Sequence, residues 1–256
     1  MSSDKNGDIL RPLSDSEVDE LLDLYKVKFG IRNFHYLLLY NQRKWDRQLS
    51  EAQIPRNDLN HISLRKQFYT HRRGNFRTWG TYVSLHRDIV QSVSFFSWQP
   101  DGAAELWECL EQTQLIEWTQ GALLTNVDLG FCNRVKELAV SRGNSIHNPC
   151  EQHHCRHSND DNICIPNDKH LCTELVHDKL FSLFLFSMLQ VLPKAERRGL
   201  GGLLAAAMSR EIARGEEITL TAWIVATNWR SEALLKRIGY QKDLVNEWIK
   251  LVPNSS

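Results

Sequence analysis

Val191-Leu-Pro-Lys-Ala-Glu-Arg-Arg-Gly-Leu-Gly-Gly-Leu-Leu204 is the stretch on which the reading of the fold turns. The segment Leu189 to Leu192 is short and apolar but for Gln190, and Pro193 stops it, so it reads as a buried strand. The loop Lys194 to Gly202 then carries Arg197, Arg198, Gly199, Gly201 and Gly202. Beyond it Leu200, Leu203, Leu204, Ala207, Met208 and Ile212 fall on one helical stripe, which Gly215 is placed to end. Ile218 to Val225 reads as a second strand. Asn228 is a good N-cap for a second helix, carrying Leu234, Leu235 and Ile238 and stopped at Gly239. Glu247 to Val252 reads as a last strand.

The chemistry of the loop is anion binding. Glycines let the backbone come close to a ligand. The free N–H groups of a first helical turn point outward at the positive end of the helix dipole. Arg197 and Arg198 can add charge-assisted bonds, and a pyrophosphate fits such a place. A glycine-rich strand–loop–helix is shared by other folds and does not by itself name one.

The longer pattern is more specific. With Asn228-Trp-Arg-Ser-Glu-Ala-Leu-Leu-Lys-Arg-Ile-Gly-Tyr240, the stretch resembles the acyl-CoA-binding region of the GCN5-related N-acetyltransferase (GNAT) superfamily. Within it the chain looks like the glycine N-acyltransferase-like group. Tyr69-Thr-His-Arg72, Gln91-Ser-Val-Ser-Phe-Phe96 and Leu123-Leu-Thr-Asn-Val-Asp128 resemble that group's leader domain. The resemblance implies an α/β, GNAT-like acyl-CoA N-acyltransferase fold. It implies transfer of an acyl group from acetyl-CoA or a larger acyl-CoA to glycine or another small amine. The strand ending at Leu192 would hold the pantetheine arm. Arg197, Arg198, Gly199, Leu200, Gly201 and Gly202 would hold the pyrophosphate, and Asn228 and Ser231 would stand on the second side. No catalytic residue is assigned.

Three positions depart from the family pattern. Glu196 stands where a glutamine or arginine is usual. Leu235 stands where some members carry a tyrosine that protonates the leaving thiolate. Leu185 stands where relatives carry a glutamate as candidate base. The alternative reading is therefore an inactive or truncated relative that acts, if at all, as a binding protein.

Working outward, the N-terminal part reads as alternating helices and strands, an α/β leader domain over residues 1–143. Ser14 and Glu17 have the spacing of a capping box, and Val18, Leu21, Leu22 and Tyr25 follow at helical spacing. A helix is expected over Asn33 to Trp45, and strands over Gln67 to His71, Thr81 to Leu85 and Val90 to Trp98. A helix over Ala103 to Gln112, a strand over Ala122 to Val127 and a helix from Phe131 to Ser141 complete it. Arg72, Arg73 and Arg77 read as a charged turn rather than a phosphate patch. Phe95, Phe96, Trp98, Trp107 and Trp118 read as core rather than as an acyl pocket.

Residues 144–187 break the pattern, and the acyl-CoA-binding half is expected over 188–256. From Asn144 to Lys179 no period is sustained. Six of the ten histidines and four of the six cysteines lie between His147 and His177. Their types suit zinc but their spacing does not, so no metal site is assigned. This segment is too short and too polar to supply the strands that the family places before the glycine loop. Leu180 to Ser187 uses only Leu, Phe and Ser, which pyrimidine-only codons can encode. Two origins stay open: a translated intron, or a genuine insertion.

The 256 residues carry a formal net charge of zero. A balanced surface gives no reason to expect nucleic acid. No apolar run is long enough to cross a bilayer, and Met1 to Asp8 is too polar for a secretory signal. The expectation is an intracellular protein, cytoplasmic with the mitochondrion as the alternative, with reduced thiols and no membrane partner. The partners implied are a coenzyme A thioester and a small amine, and the oligomeric state is left open.

Overall fold

The structure, a computed structural model, describes residues 7–31, 33–51, 66–87, 91–100, 103–157, 185–186, 199–215 and 221–254. The chain divides into two compact units, Met1–Pro149 with Glu247–Ser256, and Cys150–Asn246. The division falls inside two long strands, β6 (Asn144–His157) and β9 (Tyr240–Pro253).

The first unit opens with β1 (Leu10–Pro12), α1 (Asp15–Phe29) and α2 (Phe34–Glu51). It continues through β2 (Gln67–His71), the single turn α3 (Phe76–Trp79), β3 (Tyr82–Arg87) and β4 (Gln91–Phe96). Then come α4 (Ala104–Gln112), β5 (Ala122–Asp128) and α5 (Leu129–Ser141). Its strands lie in the order β1-β2-β3-β4-β5-β9-β6. Adjacent strands from β1 to β4 are antiparallel, whereas β4 and β5 run parallel with Gln91 opposite Ala122. That parallel pair needs a crossover, and α4 supplies it.

Alternation along the strands sends side chains to two faces. Val83, Leu85, Val93 and Phe95 join Leu106, Trp107, Leu110, Val135 and Ala139 under α4 and α5. Phe68 and Tyr82 join Val18, Leu21, Tyr25 and Leu39 under α1 and α2. The unit is thus a sheet with helices on both faces. The Ser14 capping box is present in full: its Oγ accepts the Glu17 N–H at 3.3 Å, and the Glu17 carboxylate accepts the Ser14 N–H at 2.9 Å. Phe95, Trp107 and Trp118 are buried, as the core reading of the aromatic set expects. Arg72 donates to the Asp8 carbonyl at 2.8 Å and Arg77 pairs with Glu20 at 2.6 Å, so two of the three arginines of the charged turn have intramolecular partners.

The second unit contains the later part of β6, then β7 (Leu185–Phe186), α6 (Leu200–Gly215), β8 (Thr221–Val225), α7 (Trp229–Arg237) and the first part of β9. The strand order there is β9-β6-β8-β7. β6 is a correction to the sequence reading, which found no sustained period from Asn144 to Lys179. Its pairing is antiparallel to β8, with Gln152 opposite Val225 and Cys155 opposite Ala222. Cys155, Ala222, Ile224, Leu235 and Tyr240 form the buried cluster of this unit. The expected strand Leu189 to Leu192 lies outside the described residues, as does 158–184.

Candidate functional site

The site is built by one parallel strand pair and the two helices that its connections create. β7 pairs with β8 in parallel, Leu185 opposite Thr221 and Phe186 opposite Ala222. Parallel strands release the chain at the same end of a sheet. α6 lies between them in sequence, and its last residue, Gly215, is followed within a few residues by the start of β8. A helix of 16 residues is roughly 24 Å long, so its first turn stands at the opposite end, where β7 and β8 finish. α7 begins there too, directly after β8. In open α/β sheets the carboxyl ends of parallel strands are where ligands lie.

Gly199 opens α6 with φ +77°, a left-handed conformation that glycine adopts without a Cβ penalty. Its carbonyl accepts the Leu203 N–H at 3.0 Å, the first turn of the helix. The N–H groups of Leu200, Gly201 and Gly202 precede that bond and have no partner from the helix ladder. A Cβ added at Gly199 or Gly202 would meet no atom of the described residues within 4 Å. Among the described residues nothing crowds this turn, and the helix dipole makes it attractive to an anion. Leu192, Arg197 and Arg198, expected at the same site, lie outside the described residues, as does Glu196.

Asn228 caps α7. Its Oδ1 accepts the Ser231 N–H at 3.1 Å, and its carbonyl accepts the Glu232 N–H at 3.1 Å. A tight turn, Asn228 N–H to the Val225 carbonyl at 2.8 Å, joins β8 to the helix. Gly199 to Gly202 thus open α6, which begins at Leu200 inside the expected loop, and Asn228 with Ser231 opens α7; the parallel pairing explains why the two starts share one end of the sheet. Trp229 is the first residue of α7. It is 68% exposed, with the Arg230 guanidinium 5.4 Å from its ring centroid.

Two titratable groups of this unit, Tyr240 and Cys155, are buried. Tyr240 hydroxyl and Ser209 Oγ lie 3.0 Å apart, both inside. Burial pushes the Tyr240 phenol upward, with the Ser209 hydrogen bond acting the other way. Burial likewise pushes the Cys155 thiol up to about 11. Both stay protonated at neutral pH, so neither supplies a base. Leu235 is 6% exposed within the apolar cluster and provides no proton donor. Among the described residues, no group of three or more His, Cys, Asp or Glu is arranged to hold a metal ion. No described helix is long and apolar enough to cross a membrane.

A family model described as a domain of unknown function, DUF5645, matches residues 9–138, half of the chain. The chain belongs to that family. A second model, described as FR47-like protein, matches residues 163–249 and spans β7, α6, β8 and α7. The C-terminal part is therefore an FR47-like, GNAT-related domain, and the mixed α/β architecture agrees with it. The X-ray structure of a Drosophila melanogaster protein is 71% identical, with a TM-score of 0.87, over 97% of this chain and 100% of that one. A fungal multi-domain GH3 β-N-acetylglucosaminidase, described as having a GCN5-related glucosamine N-acetyltransferase region, gives 11% identity and a TM-score of 0.41. That likeness covers 94% of this chain and 38% of that one, and carries no argument. None of the curated proteins compared with the chain matches it.

Proposed function

We propose that the second unit of this DUF5645 family member binds a coenzyme A thioester, acetyl-CoA or a larger acyl-CoA, and transfers its acyl group to the amine of glycine or another small amine. The observation that carries the reading is that Gly199-led α6 and Asn228-capped α7 start at one end of a parallel strand pair. The FR47-like match over the same elements supports it. The residues fit the coenzyme: a left-handed glycine, a first helical turn that no described atom crowds and a capped neighbouring helix suit a pyrophosphate better than any apolar ligand.

On this reading the coenzyme supplies an acyl group activated as a thioester. The backbone N–H groups of Leu200, Gly201 and Gly202 bind the pyrophosphate, with Arg197 and Arg198 adding charge. Asn228 and Ser231 fix the second helix start against which the coenzyme lies. The strand at Leu192 aligns the pantetheine arm. The amine nitrogen then forms the C–N bond as the C–S bond breaks. One proton leaves the amine and one reaches the thiolate, and hydrogen-bond donors hold the charge that develops on the carbonyl oxygen.

A second reading, coenzyme binding without transfer, is favoured by the apolar residues Leu185 and Leu235 at positions where relatives place acid–base groups. One experiment separates the two. Purified protein is given acetyl-CoA or benzoyl-CoA with a panel of amines, and free thiol is followed. Amine-dependent release that disappears in Gly201→Asp establishes the transferase. Coenzyme binding without release leaves the binding protein, and absence of both removes the proposal.

A further inference from the structure

The first two residues of α7 both work against the stability of the chain. Trp229, at the first helical position, leaves 68% of its surface in water, so most of its apolar area contributes nothing to folding. Arg230 places a cation in the first turn, at the positive end of the helix dipole, where a cation is unfavourable. The two residues also make a unit, since the Arg230 guanidinium lies over the indole at 5.4 Å. Val225, the last residue of β8, adds a second exposed apolar side chain just ahead of the same helix start, at 39% exposure. Local choices that oppose the fold and cluster at the end of a parallel strand pair mark a binding surface.

The chemistry of that surface is specific. A flat aromatic face open to solvent receives a flat heterocycle by stacking. An arginine beside it receives a phosphate through its planar fork of donors. An adenine ring and a phosphate on the same ribose satisfy both. We propose that Trp229 and Arg230 hold the nucleotide end of coenzyme A, the adenine stacked on the indole face away from Arg230 and the ribose 3′-phosphate paired with the guanidinium. This rests on the coenzyme-binding reading above and deepens it. The pyrophosphate goes to the first turn of α6, and the adenosine goes to the first turn of α7.

Calorimetric titration of the full chain with coenzyme A, dephospho-coenzyme A, adenosine 3′,5′-bisphosphate and 4′-phosphopantetheine tests it. Trp229→Ala should weaken coenzyme A, dephospho-coenzyme A and adenosine 3′,5′-bisphosphate by a common factor of at least about 5 and leave 4′-phosphopantetheine unchanged. Trp229→Phe should recover most of that loss. Arg230→Gln should weaken coenzyme A and the bisphosphate but not dephospho-coenzyme A. Both residues are exposed, so the variants keep the fold, which a melting curve verifies. If the unaltered chain binds coenzyme A and both variants bind it equally well, the nucleotide assignment fails while coenzyme binding stands. If the unaltered chain binds none of the four, both fall.

Discussion

The Asn228 side-chain oxygen accepts the Ser231 backbone N–H at 3.1 Å, and this bond holds the start of α7 at the end of β8. Two variants separate its structural part from its part in binding. Asn228→Ala removes the cap and should cost about 0.5–2 kcal/mol of stability. Asn228→Asp keeps an oxygen in the same place and should leave stability nearly unchanged, but it adds a negative charge where phosphates are expected. Coenzyme A affinity should therefore fall more in Asn228→Asp than in Asn228→Ala, although the melting temperatures rank the other way. Thermal melts and a binding titration on the two proteins check both rankings.

Gly202 and Gly80 give opposite expectations for the same substitution. A Cβ at Gly202 meets no described atom within 4 Å, and the residue is helical, so Gly202→Ala should stabilise the chain by up to about 0.5–1 kcal/mol. The added methyl stands on the first turn of α6 and should weaken coenzyme binding. Gly80 has φ +57°, and a Cβ there would collide with the Trp98 ring. Gly80→Ala should destabilise by about 2 kcal/mol or more through strain and overpacking together. Melting curves of the two variants should move in opposite directions.

How much of this was legible in the sequence follows from what each element depends on. The Ser14–Glu17 capping box, Asn228 as a cap and Gly239 after α7 are local devices, and local spacing reveals them. β6 was not legible. Its exposed His147 and Glu151 and its Pro149 give no alternation of apolar residues, and within the second unit it is flanked by β8 and β9. Ladder bonds to two neighbours can hold a polar strand that side-chain burial alone would not. β9 was read as Glu247 to Val252 but begins at Tyr240, because Gln241, Lys242 and Asp243 are exposed and show no apolar period. The site was half legible. Glycine and asparagine spacing located both helix starts, but only the parallel pairing of β7 with β8 brings them to one end. The exposure of Trp229 depends on what fails to cover it, which spacing cannot reveal.

Asp8 is expected to be a main tie of the first unit. Its buried carboxylate accepts the Leu10 N–H at 2.8 Å, the Thr113 hydroxyl at 2.9 Å and the Gln114 N–H at 2.7 Å. It thus joins the entry to β1 with the end of α4. Asp8→Ala removes charged acceptors from buried donors and should cost about 3 kcal/mol in urea unfolding. Asp8→Asn keeps one acceptor oxygen and should lose less. Equal losses in the two variants would mean that the contribution is packing rather than hydrogen bonding.

His35 sets the acid limb of stability. It is 6% exposed, its Nδ1 lies 2.8 Å from the Tyr82 hydroxyl, and its ring stacks on Phe96 at 3.9 Å. Burial holds its pKa down to about 3 from the ordinary 6.5. The sign follows from the protons bound. Below 6.5 the unfolded chain protonates this histidine and the folded chain does not, so stability is full above that pH and falls as pH drops toward 3. The slope is about 1.4 kcal/mol per pH unit. Glu17 acts lower, because its hydrogen bonds to Arg11, the nearer at 2.8 Å, hold it at about 2 against 4.5, so its contribution is lost only below 4.5. Between pH 6.5 and 4.5 the effect of His35 therefore stands apart from that of Glu17. Urea unfolding across that window should show the unaltered chain losing about 2 kcal/mol more than His35→Gln, whose side chain can bond Tyr82 but does not titrate. Parallel curves for the two proteins would show that His35 is reached by protons in the folded state.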